Sequence, residues 1–146
     1  IPSTRRTVQT REQASTLILR SISQSITMDL NYFDKMALST FTSLEKQSLY
    51  QLLCGVMMVD GQRDPREVAF INKVNQIIGI TTSDVEASRK LSEPTMTNCL
   101  RNMDTLKKAY VGKFMAQVIL ADGVITKTEE QFFYYMKQKL GLPDVD

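Results

Sequence analysis

In this chain of 146 residues, the segment around Asp60-Gly61 recurs 62 residues later around Asp122-Gly123. A repeat of that period means one supersecondary unit built twice, with each copy burying the face the other cannot cover alone. Before the two turns, Leu49, Leu52, Leu53, Val56 and Met57 stand opposite Val111, Phe114, Met115, Val118 and Ile119. Both sets are spaced i, i+3, i+4, i+7, i+8, the apolar stripe of a helix. After the turns, Phe70, Ile71, Val74, Ile78, Gly79 and Ile80 match Phe132, Phe133, Met136, Leu140, Gly141 and Leu142. Each copy therefore reads as a helical hairpin.

Capping residues mark the same boundaries. Asp64, Pro65 and Glu67 supply an N-cap, an N1 proline and an N3 glutamate, and Thr126 with Glu129 has capping-box spacing. Gly79 and Gly141 sit where a left-handed residue closes a helix, and Pro143 blocks a restart. Thr42 with Glu45 offers another capping box, and Asp104 an N-cap. Ser83–Glu86 and Glu93-Pro94 open two short connecting helices. The expected fold is all-α, with no strand: a pseudo-symmetric pair of helical hairpins joined by short helices, about seven helices in total including an N-terminal one.

Composition removes several chemistries. The chain has no histidine, which excludes Ser-His-Asp and Cys-His nucleophile systems and the HExxH zinc helix. Cys54 and Cys99 form no CxxC pair, so zinc is not expected, and both read as small buried hydrophobes in a reducing, cytoplasmic compartment. Eighteen basic against sixteen acidic residues give +2, too little to support a nucleic-acid partner. The apolar run Leu52–Val59 falls far short of the roughly 20 residues of a spanning helix. Met57, Met115 and Met136 read as core residues, Tyr134 and Tyr135 as exposed contact residues. Lys107, Lys108 and Lys113 read as a solvated face.

Residues 1–27 differ from the rest. They carry Arg5, Arg6, Arg11 and Arg20 against Glu12 alone and are rich in Ser and Thr. Ala14, Ile18, Ile22 and Ile26 recur every four residues, an apolar stripe on a helix from about Arg11 that is expected to dock on the domain behind it. The organisation is thus a basic tail and leading helix over 1–27 and a single helical domain over 28–146.

The segments MVDGQRDPREVAFINKVNQIIGI and LADGVITKTEEQFFYYMKQKLGL resemble the two halves of a TerB-like domain, the helical module of tellurite-resistance and related stress proteins. The resemblance covers about Leu44 to Leu142 and rests on two DG-x5-E units, each between an apolar helix and a helix closed by hydrophobic-Gly-hydrophobic. It implies acidic residues from both turns gathered at one end as a divalent-cation site: Asp60, Asp64 and Glu67 from the first turn, Asp122 and Glu129 from the second. Thr126 stands where the family often has an acid. The resemblance supplies no enzymatic reaction and implies stress-response roles, protein partners and assemblies near the membrane.

Converging carboxylates suit Ca²⁺, Mg²⁺ or Mn²⁺, and no organic cofactor is expected. An EF-hand is excluded, because the positions one, three and five before Gly61 are Asp60, Met58 and Val56. The same acids also have ordinary duties as turn and cap residues, with Arg63 and Arg66 adding compensating charge. The expected function is a non-catalytic stress-response module that binds a divalent ion and presents a helical surface to proteins. The alternatives are an ion-independent scaffold domain and, behind it, a metal-dependent hydrolase using Asp60 and Asp122.

Overall fold

The computed structural model describes residues 31–59, 61 and 63–144. The basic tail, its apolar stripe and Asp60 lie outside the described residues. Within them are seven helices: α1 Tyr32–Ser39, α2 Ser43–Met57, α3 Pro65–Ile78, α4 Thr82–Ser88, α5 Glu93–Arg101, α6 Thr105–Leu120 and α7 Lys127–Leu140. No strand occurs among the described residues.

The repeat is visible residue by residue. Helices α3 and α7 begin and end 62 residues apart, and so do their N-caps, Asp64 and Thr126, and their C-caps, Gly79 and Gly141. All five apolar pairs of α2 and α6 named above are buried in both copies, as are Ile71 with Phe133, Val74 with Met136, Ile78 with Leu140 and Ile80 with Leu142. Burying such a side chain contributes about 1.5–3 kcal/mol, so these paired positions form the main cohesive force of the domain.

The repeat is also longer than the two hairpins. Helix α1, which the sequence reading did not include, is the counterpart of α5: Leu38 and Phe41 are buried, and so are Leu100 and Met103, 62 residues on. Helix α1 packs against α3 and α6, while α5 packs against α7 and α2, the same arrangement with the copies exchanged. The unit is therefore three helices, and α4 links the two units by packing on α2. A single apolar stripe is hard to see in α1 because Tyr32, Phe33 and Met36 point away from the core. Its capping box, Asn31 with Asp34, is nonetheless complete.

Local hydrogen bonding explains why the helices start where they do. Every one of the seven has Asn, Thr, Asp or Ser at its N-cap with the side-chain oxygen accepting a backbone N–H. At the other ends, Gly79 and Gly141 adopt φ of +82° and +65°, a region where a side chain costs about 1–2 kcal/mol. Lys46 Nζ lies beside Gly79 and Lys108 Nζ beside Gly141, 3.8 and 3.5 Å from where a Cβ would stand. These lysines are again 62 residues apart, each placing a cation at the negative end of a helix.

Two expectations need correction. Lys107 is not on a solvated face: it is largely buried, bonded to Glu45 at 2.8 Å and to the Thr40 carbonyl at 3.1 Å, with its ammonium 5.5 Å from the Phe41 ring centroid. Sequence position could not show this, because its partners come from 62 and 67 residues away. Cys54 and Cys99 are unbridged but only half-buried, and burial pushes both thiols above their ordinary pKa. Met57, Met115 and Met136 are core residues, and Tyr134 and Tyr135 are exposed, as expected.

Candidate metal centre

The turn joining α2 to α3 and the turn joining α6 to α7 meet. Carboxylate oxygens of Asp64, Glu67 and Asp122 all lie within 4.8 Å of one another. Asp64 comes from the N-cap of α3, Glu67 from its first turn, and Asp122 from the Asp-Gly turn of the other repeat. The pseudo-symmetric packing of the hairpins brings the two turns to one place.

Each carboxylate is held differently. Asp122 Oδ1 accepts the Val124 N–H at 3.0 Å, which closes its turn. Asp64 Oδ1 accepts the Arg66 N–H at 2.7 Å, capping α3, and the Arg66 guanidinium bonds both Asp64 oxygens, Nε at 3.2 Å and Nη2 at 3.1 Å. That guanidinium, followed by the backbone N–H, holds the Asp64 carboxyl below its ordinary 3.8. Glu67 is 2% exposed, an unusual place for a carboxylate.

Glu129 is not part of the three-residue group. It is 1% exposed, and its Oε1 accepts the Thr126 N–H at 2.9 Å in the capping box of α7. The 62-residue relation explains the asymmetry. The positions equivalent to Asp64, Glu67 and Asp122 are Thr126, Glu129 and Asp60, so the counterpart group has a hydroxyl in place of one acid. Asp60 lies outside the described residues. Of the five acids read from the sequence, three converge, one serves as a cap and one is not described.

The donor set fits a hard cation. Three protein carboxylates suit Ca²⁺, which takes several protein oxygens in a flexible geometry, better than Mg²⁺, which usually keeps its waters and is held by one or two carboxylates. All three donors are carboxylate oxygens, with neither the sulfur nor the imidazole that a softer ion selects.

With this geometry in view, comparison with known proteins is decisive for the family. A family model described as Tellurite resistance protein TerB matches residues 5–90. The chain belongs to the TerB family. The TerB match starts nearer the N-terminus than the segments that carry the sequence resemblance, and it takes in the first three-helix unit and α4. The second unit is tied to the first by the internal repeat. Among solved structures, the TerB fold described here is similar to a protein of unknown function from Porphyromonas gingivalis W83. Their TM-score is 0.63 at 22% identity, covering 73% of this chain and 89% of that one. None of the curated proteins matches. As a TerB protein the chain is a tellurite-resistance-like module, and no helix among its described residues is long and apolar enough to cross a membrane.

Proposed function

We propose that the protein is a non-catalytic stress-response module in which a divalent cation, Ca²⁺ by the all-carboxylate donor set, is held by Asp64, Glu67 and Asp122, and in which the helical surface binds protein partners. The convergence of carboxylates from both repeats carries this reading. Three acids brought together at a tight junction repel one another, and a dication would offset that repulsion while tying the two hairpins. Its binding would rigidify the end of the domain from which α3 and α7 start.

One observation favours an ion-independent scaffold instead. Arg66 already occupies both oxygens of Asp64, so part of the negative charge is balanced by the chain itself. Its guanidinium is 64% exposed and free to swing away when a dication arrives. The two readings separate by calorimetric titration of EDTA-stripped full-length protein with CaCl₂, MgCl₂ and MnCl₂. The proposal expects one saturable site for Ca²⁺, lost in Asp64→Asn and in Asp122→Asn. Both asparagines keep an oxygen to accept the same backbone N–H, so cap and turn survive while the charge goes. Heat traces without a saturable site for any ion, in protein that melts cooperatively, would establish the scaffold reading.

A further inference from the structure

Gln47, Tyr50, Gln51 and Cys54 recur at i, i+3, i+4 and i+7 on α2, a second stripe beside the apolar one, and α4 packs along it. Gln47 Nε2 bonds Asp84 at 3.2 Å, and Gln51 Nε2 bonds the carbonyls of Ser88 and Leu91, both at 2.9 Å. These bonds hold the end of α4 against α2, and Arg89 is the C-cap of α4. The turn that leaves α2 brings Arg63 to the same corner. The charges of Arg63 and Arg89 both act on the Tyr50 hydroxyl and on the Cys54 thiol, which are hydrogen-bonded to each other one helical turn apart. Both arginines are exposed, and neither has an ion-pair partner among the described residues, whereas Arg66 is taken up by Asp64.

The other repeat shows that packing does not require this set. The positions equivalent to Tyr50, Cys54 and Arg63 are Gly112, Ala116 and Ile125, none with a polar side chain, and no described helix follows α7 as α4 follows α3. The corner exists once, where the symmetry of the fold is broken. We infer that Arg63 and Arg89, with the Tyr50 hydroxyl, bind a phosphate group at this corner, beside Cys54. Two guanidiniums match the charge of a phosphate monoester, about −1.5 to −2 at neutral pH, and their planar forks match its oxygens. A carboxylate, with one charge and two oxygens, would leave one arginine unmatched. The phenol adds a neutral donor. The corner uses none of the three carboxylates of the candidate metal centre, so it stands or falls apart from the ion.

Cys54 is the reporter and Cys99, on α5, the internal control. Their alkylation by iodoacetamide is followed in the full-length chain by peptide mass spectrometry, with EDTA present so that no divalent ion takes part. The two arginines favour the reactive thiolate, and a bound phosphate would offset their charge and cover the sulfur. Sodium phosphate is expected to slow alkylation of Cys54 several-fold and saturably relative to sodium chloride of equal ionic strength, to leave Cys99 unchanged, and to lose its effect in Arg63→Gln and in Arg89→Gln. Phosphatidylcholine vesicles containing phosphatidic acid distinguish the source. Protection by the vesicles at phosphate concentrations where the free anion gives none assigns the site to a lipid head group, and protection by the free anion alone assigns it to a soluble phosphate monoester. A Cys54 rate that neither probe changes overturns the inference. So does slowing that sodium chloride reproduces, that both thiols share, or that survives both glutamines.

Discussion

Glu45 and Lys107 hold the same position in the two repeats, 62 residues apart, and they bond to each other at 2.8 Å. Equivalent residues can touch only where the two units meet about their pseudo-symmetry axis, so this pair marks the axis. Glu45 Oε1 also accepts the Thr42 N–H in the capping box of α2, and Lys107 also holds the end of α1. One charge pair thus joins three helices. Lys107→Met is expected to cost about 1.5–3 kcal/mol, the range for a hydrogen bond to a charged group whose partner is left largely buried. In a double-mutant cycle by chemical denaturation, Glu45→Gln in that background should cost much less than alone. Additive losses would show that the pair contributes nothing as a pair.

The helix-closing glycines test the equivalence of the units. Gly79→Ala and Gly141→Ala meet no close atom except a lysine Nζ, so the expected loss of about 1–2 kcal/mol each comes from the left-handed backbone. Denaturation midpoints should fall by similar amounts in the two variants. A loss confined to one would mean that the second unit is held by something other than the repeat.

Tyr110 joins α6 to α1 through a hydrogen bond to Asp34. Burial, then the Asp34 carboxylate, pushes the phenol well above its ordinary value of 10.0. The native state therefore keeps its proton where the unfolded chain has lost it, and the contribution to stability is full below pH 10 and declines as pH rises above it. Tyr110→Phe should lower stability at neutral pH by about 1–2 kcal/mol and make the alkaline limb less steep. Ultraviolet titration of tyrosinate alongside alkaline unfolding reads both. A wild-type phenol that titrates near 10 in the folded protein would contradict the bond.

Arg66 competes with any cation for Asp64. Arg66→Met should tighten Ca²⁺ binding several-fold and make it fall off more steeply with added NaCl, measured by the same calorimetric titration, since the guanidinium that balances part of the site's charge is gone. Unchanged affinity would mean that the ion, if bound, does not use Asp64.

Much of the fold was legible because helix periodicity, caps and the repeat all agree from Thr42 to Leu142. Helix α1 was not, because Tyr32, Phe33 and Met36 face outward and blur the stripe that Ala37, Leu38 and Phe41 begin. At the metal centre, the resemblance to TerB-like domains implied five acids, and three converge. Glu129 has the same sequence setting as Glu67. What separates them is three residues upstream: Thr126 closes a box with Glu129, while Asp64 turns to Arg66. That difference is local to each turn, whereas the burial of Lys107 against Glu45 depends on which helix lies opposite, and spacing along one chain does not encode it.

The most direct test of the ion-binding reading is the melting temperature of EDTA-stripped full-length protein with and without Ca²⁺, run beside Asp122→Asn. A native-state ligand at a hundred times its Kd adds about 2.7 kcal/mol, which raises Tm by roughly 5–10 °C in a domain of this size. The expected result is such a rise in the wild type and none in Asp122→Asn, whose turn still closes on Val124. The same Tm with and without Ca²⁺ in the wild type would contradict the proposal and leave Asp64, Glu67 and Asp122 as turn and cap residues.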